Sequence, residues 1–239
     1  MKKLIIVPTL NEKKNILHLY NKINKTNMNF DILFIDDKSN DGSQEIIKKL
    51  AKKSKKVRYI FRPKKKGIGS AHKEGLMWSF ERNYKIIITM DADGTHDPKY
   101  ISFMIEKLKN FDIVTTSRFL EKNALEEWPI FRVFLTTLRH ITISLLLSMP
   151  YDSSGAFRCI NCKKISLPDL ILAKNNSYSY FCESIFILHK KKYRIGEIPV
   201  QLPFRKIGSS KMKMKDIFFS IYYLLVIFIK KILGKYNFK

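Results

Sequence analysis

The stretch Leu4-Ile5-Ile6-Val7-Pro8-Thr9-Leu10-Asn11-Glu12 begins as a branched apolar run and turns polar within a few residues. A short run of this composition is typical of a buried strand. Residues 13–25, which come next, carry apolar side chains at helical spacing. We therefore expect the chain to open with a strand followed by a helix.

The same strand and helix unit recurs through the first half of the chain. Short apolar runs occur at residues 32–35, 57–61, 86–90 and 113–116, and segments with helical spacing occur at 44–53, 70–81 and 99–109. Strands that alternate with helices join a parallel sheet through right-handed crossovers. The first half is thus predicted to be an α/β sheet of the nucleotide-binding type. From about residue 120 the rhythm changes to a long apolar helix at 130–149 and mixed short elements up to residue 204.

Composition limits the possible partners. A chain of 239 residues with 45% hydrophobic content is long enough to bury one substantial core. Its net charge of +24 indicates a polyanionic environment, which could be nucleic acid, anionic lipid or a phosphorylated substrate. Cys159, Cys162 and Cys182 cannot all pair with one another, and no signal-peptide pattern precedes the first strand. We therefore expect a reducing, cytoplasmic compartment.

Acidic residues follow three of the predicted strands. Glu12 comes after the first strand, Asp36-Asp37 ends the second, and Asp91-Ala92-Asp93 ends the fourth. In an open parallel sheet, ligands bind beyond the carboxyl ends of the strands. Each of these acidic positions alone is compatible with an ordinary turn or helix cap. Together, carboxylates at one edge repel one another unless a cation or a hydrogen-bonding ligand compensates them.

The pair Asp91 and Asp93 predicts a metal site. Two residues at this spacing after a strand direct both carboxylates to the same side. Such a pair suits Mg²⁺ or Mn²⁺ that already carries diphosphate oxygens. The expected ligand at this edge is therefore a diphosphate together with a divalent cation.

A set of motifs, in order along the chain, resembles glycosyltransferase family 2, and within it the dolichyl-phosphate mannosyltransferase-like group. The motifs are Val7-Pro8-Thr9-Leu10-Asn11-Glu12, Asp36-Asp37-Lys38-Ser39-Asn40-Asp41-Gly42, Gly67-Ile68-Gly69-Ser70-Ala71, Met90-Asp91-Ala92-Asp93-Gly94-Thr95-His96-Asp97-Pro98, Thr116-Ser117-Arg118-Phe119, Ser154-Gly155-Ala156-Phe157-Arg158, and Ile198-Pro199-Val200 to Arg205-Lys206-Ile207-Gly208-Ser209-Ser210-Lys211. The resemblance implies a GT-A fold, which is a Rossmann-like α/β fold. It also implies a catalytic domain at 1–210, with a nucleotide-sugar half at 1–119 and an acceptor half at 120–210.

The resemblance further implies roles for single residues. The donor nucleotide would contact Pro8, Asn11, Glu12, Asp37, Gly69 and Asp91. The metal would be held by Asp91 and Asp93. Phosphate groups of the donor or acceptor would face Arg118, Arg205 and Lys211.

Three residues are expected to take part in catalysis on the same basis: Asp93, Arg118 and Glu183. Glu183 aligns with a glutamate that recurs in the family, but it could equally be a structural partner of Arg158 or Arg194. His96 is expected to be a solvated or capping residue, because a lone histidine in a polar loop usually is one. We leave it out of the catalytic set.

The acceptor class follows from the chemistry of attack. A sugar hydroxyl needs a general base, whereas a phosphate monoester, with a second pKa near ~6, is already largely a dianion at neutral pH. Relatives that use hydroxyl acceptors commonly carry the base in a Glu-Asp pair, and no Glu-Asp dipeptide occurs in this sequence. We therefore predict inverting transfer from a GDP- or UDP-linked sugar to a polyprenyl phosphate. The alternative is a family 2 enzyme that glycosylates a saccharide hydroxyl in cell-surface polysaccharide synthesis.

Two other classes fit less well. Gly67-Ile68-Gly69 resembles part of a dinucleotide fingerprint, but His72 replaces the third glycine and the motif follows the third strand. A nucleic-acid-binding module would explain the charge but not the acidic strand ends. We therefore predict no nucleic-acid partner.

The C-terminal segment 211–239 is predicted to associate with a membrane. The apolar run at 217–229 has lysines on both sides and is shorter than the ~20 residues needed to cross a bilayer. It favours an interfacial helix at the cytoplasmic face of an anionic membrane. The alternative is a helix packed on the enzyme's own core. On the helix at 130–149, Arg132, Arg139 and His140 could add a second basic contact near the lipid phosphate, or that helix could be simple core.

Overall fold

The computed structural model describes residues 1–203, 211 and 213–236. Its sheet contains seven strands, which are β1 Lys3–Thr9, β2 Asp31–Asp36, β3 Val57–Phe61, β4 Ile86–Thr89, β5 Ile113–Ser117, β6 Arg158–Asn161 and β7 Ile195–Pro199. The helices are α1 Lys13–Lys25, α2 Ser43–Lys53, α3 Ile68–Glu81, α4 Ile101–Lys107, α5 Ile130–Leu147, α6 Leu167–Ile171, α7 Ser179–Lys190 and α8 Met214–Ile232. The five strands and four helices expected from the first half of the sequence are confirmed.

The strand order is β3-β2-β1-β4-β6-β5-β7. All neighbouring strands are parallel except β6, which runs antiparallel to both β4 and β5. Because β1, β2 and β4 are parallel neighbours, their carboxyl ends lie at the same edge of the sheet. The convergence of the three acidic positions is therefore confirmed.

The sheet separates two hydrophobic cores. Alternate residues of β1 point to opposite faces, so that Ile5 and Val7 join one core while Leu4 and Ile6 join the other. Helices α1, α2 and α4 cover the first face, and helices α3, α6 and α7 cover the second. Burial on both faces explains why β1 reads as a continuous apolar run.

Helix α5 is not a core helix, which corrects one of the two possibilities above. Only Ile143 and Leu147 of this helix are buried, whereas Phe131, Phe134 and Leu145 are 71, 59 and 74% exposed. Among the described residues, α5 is the one helix long and apolar enough to cross a membrane by length and composition. Most of its apolar surface therefore faces away from the protein.

Helix α8 packs against α5 and α7. Its inner face contributes Ile227 to the core, with Leu224 and Phe228 beside it. Its outer face leaves Phe218 and Tyr222 exposed. The helix thus packs on the enzyme through one face, as the second possibility for this segment has it, and presents an apolar surface on the other. Its contact with a membrane stays a prediction.

Gly75 permits the close approach of α3 to the sheet. A Cβ atom at this position would lie 2.7 Å from Cγ2 of Ile6 and 2.8 Å from Cδ1 of Ile35. Both neighbours belong to the fully buried core of β1 and β2. We expect Gly75→Ala to lower the free energy of unfolding by about 1–3 kcal/mol through overpacking.

Urea denaturation followed by circular dichroism measures this change. Met77→Ala is the matched control, because Met77 lies on the same helix and is 39% exposed; its effect should stay within ~0.5 kcal/mol, as for ordinary surface substitutions. Equal stabilities of the Gly75→Ala variant and the wild type would contradict the close packing.

Candidate active site

The loops after β1 and β2 are tied together by side chains. The Thr9 hydroxyl donates to Asp36 Oδ2 at 2.9 Å. The Asn11 backbone N–H donates to Ser39 Oγ at 2.8 Å, and Asn11 Oδ1 accepts from the Asn40 N–H at 3.0 Å. Asn11 adopts a left-handed φ of 54°, a conformation that asparagine tolerates better than most residues. These contacts shape one rim of the predicted donor pocket.

Glu12 is the residue before α1 and is buried, at 7% exposure. Its Oε2 accepts from Asn15 Nδ2 at 2.6 Å, and its backbone N–H donates to Ser43 Oγ at 3.0 Å. Pro8, which is also predicted to contact the nucleotide, lies within β1 opposite Ile35 of β2. The contacts of Pro8 and Glu12 with a nucleotide stay a prediction.

Asp37 organises the loop after β3. Its two carboxylate oxygens accept the backbone N–H groups of Lys66 and Gly67, each at 2.9 Å. Arg62 Nη1 lies 3.0 Å from Asp37 Oδ1, and both side chains are almost fully buried. A carboxylate paired in this way is charge-compensated without a ligand. Asp37 therefore holds the glycine-rich loop in place, whatever its contact with a nucleotide.

Gly69, the second residue of α3 after that loop, is explained by packing. A Cβ atom there would lie 2.5 Å from Cβ of Tyr180 in α7. The glycine thus allows the start of α3 to touch α7. A direct role of Gly69 in binding the donor stays a prediction.

Asp91 and Asp93 lie in the turn that follows β4. Asp93 Oδ1 accepts the backbone N–H of Thr95 at 3.1 Å and its hydroxyl at 2.7 Å. The Asp91 backbone N–H donates to His96 Nδ1 at 2.9 Å. The Asp91 side chain retains 31% exposure, so this carboxylate is accessible to a ligand.

His96 is buried, at 7% exposure, which corrects the expectation of a solvated residue. Its ring stacks on Phe157 with centroids 5.1 Å apart. Burial lowers the pKa of His96 to about 4, Asp93 acts to raise it and Arg118 acts to lower it further. His96 is therefore neutral at pH 7.

Arg118 follows β5 and is held by a buried carboxylate. Its Nε donates to Asp152 Oδ2 at 2.8 Å, and the two side chains are 13% and 1% exposed. The Asp152 backbone N–H donates in turn to Glu197 Oε1 at 2.7 Å. Arg118 holds the pKa of Asp152 below its usual value against the effect of burial. The rest of the guanidinium extends toward Gly155, with Nη2 3.8 Å from the position of a Cβ there.

Arg132 lies at the start of α5, stacked over Trp128 with the guanidinium carbon 4.0 Å from the ring centroid. Burial lowers its pKa, Arg118 lowers it further and Asp93 acts to raise it. Arg132 therefore lies within electrostatic reach of both Arg118 and Asp93. Lys211 is half-buried and its predicted phosphate contact remains untested, while Arg205 lies outside the described residues.

Glu183 lies in α7 with 1% exposure. Its carboxylate accepts from the Asn175 backbone N–H at 2.9 Å, from the Tyr223 hydroxyl at 3.0 Å and from the Tyr236 hydroxyl at 3.3 Å. The side chains of Arg158 and Arg194, considered above as partners, instead donate elsewhere, to Ser184 and Asp112 among others. These contacts give Glu183 a structural role in holding α8. Its catalytic role stays a prediction that this geometry does not favour.

Sequence reasoning missed two residues that shape the site, Arg62 and Asp152. Each has a local signal: Arg62 is a basic residue directly after a strand, and Asp152 stands two residues before the motif that begins at Ser154. Neither signal identifies the partner, because Arg62 pairs with Asp37 and Asp152 pairs with Arg118 across the fold.

The donor set fits a divalent cation that is completed by its substrate. Within the described ranges, no group of three or more His, Cys, Asp or Glu side chains is arranged to hold a metal. Asp91 and Asp93 offer carboxylate oxygens at a strand end. Mg²⁺ is commonly bound through one or two carboxylates plus substrate phosphates. The residues present therefore fit a cation that arrives with a diphosphate.

Curated relatives match most of the chain. An undecaprenyl-phosphate mannosyltransferase from Micrococcus luteus is 27% identical over 213 residues, which are 89% of this chain and 88% of that protein. A dolichol-phosphate mannosyltransferase from Pyrococcus furiosus is 30% identical over 226 residues, which are 91% of this chain and 61% of that protein.

Solved structures establish the GT-A fold. A glucosyl-3-phosphoglycerate synthase from Mycobacterium tuberculosis, in complex with UDP, superposes with a TM-score of 0.66 at 11% identity, over 96% of this chain and 79% of that one. A mannosyltransferase from Pyrobaculum calidifontis, in complex with GDP-Man and Mn²⁺, gives a TM-score of 0.62 at 15% identity, over 97% of this chain and 64% of that one.

The profile of the family described as glycosyl transferase family 2 matches residues 4–164. This range includes β1 to β6, the Asp91 and Asp93 turn and the Arg118–Asp152 pair. The chain belongs to glycosyl transferase family 2 and is a glycosyltransferase.

Proposed function

We propose that this glycosyltransferase transfers mannose or another hexose from a nucleotide diphosphate sugar to a polyprenyl phosphate, with inversion, at the cytoplasmic face of a membrane. The observation that carries the proposal is that Asp93 and Arg118 both act electrostatically on Arg132 and on the buried His96. Carboxylates there suit a cation with its diphosphate, and the two guanidinium groups suit a second phosphate. The curated relatives named above, whose names specify prenyl phosphates, support the same acceptor.

The donor side of the reaction depends on Asp91 and Asp93. These residues would hold Mg²⁺ or Mn²⁺ on the diphosphate of a GDP- or UDP-linked sugar. The cation would stabilise the negative charge of the departing nucleotide diphosphate. The loops at Asn11 and Asp37 would bind the nucleoside at the neighbouring strand ends.

The acceptor side depends on Arg118 and Arg132. A phosphate monoester dianion needs positioning and charge compensation rather than proton removal. Arg118 can direct the remaining N–H groups of its guanidinium toward that phosphate while Asp152 fixes its Nε. Asp152 is a poor general base in this arrangement because Arg118 lowers its pKa. This chemistry favours the lipid phosphate over a saccharide hydroxyl.

The reaction can be tested directly with purified protein. We expect mass spectrometry to detect a glycosylated lipid when GDP-mannose, Mn²⁺ and a short-chain polyprenyl phosphate are supplied, with UDP-linked sugars tested in parallel. Asp93→Asn should reduce turnover by orders of magnitude, because it removes charge at the cation with little change in volume. Full activity in EDTA would disprove the metal role, and faster glycosylation of saccharides than of the lipid phosphate would disprove the acceptor.

The Arg118–Asp152 pair predicts a positioning effect. Asp152→Asn removes the charge that holds Arg118, and a misplaced phosphate-binding group can cost on the order of 100-fold in rate. We expect a fall of that size in kcat, measured with saturating donor and acceptor. Asp169→Asn is the control, since Asp169 pairs with Lys191 at 2.7 Å on the α6 and α7 side; its kcat should match the wild type. Unchanged kcat in Asp152→Asn would show that Arg118 does not need this support.

The exposed faces of α5 and α8 support the membrane location. On α5 the exposed apolar residues are Ile130, Phe131, Phe134, Leu135, Leu138, Ile141 and Leu145, and on α8 they include Phe218, Ile221, Tyr222, Leu225, Ile229 and Ile232. Each set recurs at helical spacing. Exposed apolar surface on this scale is uncommon on a soluble monomer. The two helices are neighbours, since Lys231 Nζ of α8 donates to the Leu146 carbonyl of α5 at 2.9 Å.

We therefore extend the proposed membrane contact from the C-terminal segment to both helices. Apolar residues would enter the lipid while lysines such as Lys213 and Lys215, which precede and begin α8, would attract anionic headgroups. Arg132 lies at the first turn of α5, so this helix would carry the site close to the lipid phosphate. The hydrogen bonds of Tyr223 and Tyr236 to Glu183 also mean that removing the C-terminal segment would disturb the core as well as the surface.

Point substitutions test this surface more cleanly than truncation. We expect Phe131→Glu and Phe218→Glu each to weaken binding to vesicles of phosphatidylglycerol and phosphatidylcholine by about tenfold or more, because burying such a side chain contributes about 1.5–3 kcal/mol. Vesicle sedimentation measures the effect. Phe103→Glu is the matched control, since Phe103 is 62% exposed but lies on α4 at the other face of the sheet. Wild-type binding by both α5 and α8 variants would refute the contact.

A further inference from the structure

His96 hydrogen-bonds to the backbone of the turn at residues 91–96, which contains Asp91 and Asp93 and is called the metal turn below. Its Nδ1 accepts the Asp91 backbone N–H at 2.9 Å. The imidazole lies nearly parallel to the Phe157 ring, with an interplanar angle of 23°. The ring is thus fixed by a hydrogen bond on one side and by an aromatic face on the other.

This hydrogen bond forms just after the backbone pairing between β4 and β1 ends. The Met90 N–H still donates to the Ile6 carbonyl of β1 at 3.1 Å, but β4 has ended at Thr89. The next N–H group, that of Asp91, donates to the His96 side chain instead of to the backbone of a neighbouring strand. Gly94, with a φ of +81°, then turns the chain so that His96 returns beneath Asp91.

Phe157 connects His96 to the segment that approaches Arg118. It stands directly before β6, which pairs with β4 through Thr89 and Arg158. The Thr89 hydroxyl also donates to the Ala156 carbonyl at 2.5 Å. The segment 153–158, which approaches Arg118 at Gly155, is therefore in contact with the metal turn through the His96 ring.

We propose that His96 is a positioning residue, which sets the backbone of Asp91 so that the Asp91 and Asp93 carboxylates face the cation together. The inference rests on the proposed metal-dependent function and adds a residue to it. His96 acts through Nδ1, and that atom is already engaged by the Asp91 N–H. Because Nδ1 accepts, the neutral ring carries its proton on Nε2, and neither nitrogen has a lone pair to offer a cation. The residue therefore acts on the metal through Asp91 rather than as a ligand.

Two substitutions of similar polarity separate this hydrogen bond from the other effects of losing the ring. Asparagine can place an acceptor close to the position of Nδ1, whereas glutamine places its amide near the position of Nε2 and beyond the Asp91 N–H. Both His96→Asn and His96→Gln lose the stacking on Phe157. A difference between them therefore reports on where the side chain places its hydrogen-bond acceptor rather than on the loss of the ring.

His72 provides the matched control. It is also buried, at 2% exposure, and lies against an aromatic residue, Phe181, with ring centroids 5.1 Å apart. It lies in α3, outside the metal turn. Its replacement in His72→Gln tests whether loss of a buried histidine by itself affects metal binding.

The experiment measures the Kd of Mn²⁺ by electron paramagnetic resonance in the presence of GDP, and the exchange of the Asp91 amide proton by NMR. We expect His96→Gln to weaken Mn²⁺ binding by about 10- to 100-fold, as for groups that orient metal ligands, and to speed exchange at Asp91. His96→Asn should stay within about threefold of the wild type, and His72→Gln should leave the Mn²⁺ affinity unchanged even where it lowers the melting temperature.

Equal Mn²⁺ affinities for His96→Asn and His96→Gln would overturn the positioning role, as would a loss of the same size in His72→Gln. If the wild-type protein binds no Mn²⁺ in the presence of GDP, the proposed function itself is wrong. Because the wild type is measured first, the two failures are distinguishable.

Discussion

The parallel pairing of β1 with β2 and β4 is the constraint on which the rest of the site depends. It brings Glu12, Asp36-Asp37 and the Asp91 turn to one edge, where their charges would repel one another. The protein compensates most of this charge internally. Asp36 accepts from Thr9, Ser39 and Gln44, and Asp37 accepts from two backbone N–H groups and Arg62. The Asp91 side chain keeps 31% exposure, which makes this part of the acidic edge the proposed place for an external cation.

The antiparallel strand β6 brings the second half of the chain to the same place. Because it lies between β4 and β5, the residues just before it, 152–157, reach the carboxyl ends of both neighbours. Asp152 thereby meets Arg118 after β5, and Phe157 meets His96 after β4. A parallel strand in that position would deliver these residues to the opposite edge. The reversal of one strand therefore brings the residues proposed to bind the donor next to those proposed to bind the acceptor.

The sequence predicted the elements whose signals are local. Strands buried on both faces, such as β1, appear as continuous apolar runs, and the Asp91 and Asp93 pair appears directly after such a run. The partners that orient these groups are distant in sequence and leave no local pattern. Arg118 and Asp152 are separated by 34 residues. The residues around Asp152 carry no pattern that would predict Arg118 as its partner. The burial of His96 is hidden from the sequence for the same reason, because it depends on the contact with Phe157. The direction of β6 was equally hidden, since a four-residue strand carries no mark of its orientation.

The hydrogen bonds from Tyr223 and Tyr236 to Glu183 attach the C-terminal segment to α7, and they also affect the rotation of α8 about its own axis. Helix α8 carries apolar side chains around most of its circumference, and hydrophobic burial has no directional preference. Such a helix could rest on α5 and α7 in several rotational settings of similar energy. A shift by one residue turns a helix by about 100°, which would carry Tyr223 away and leave a buried carboxylate without that donor. The polar contact thus selects a single rotation of α8, and with it which residues face outward.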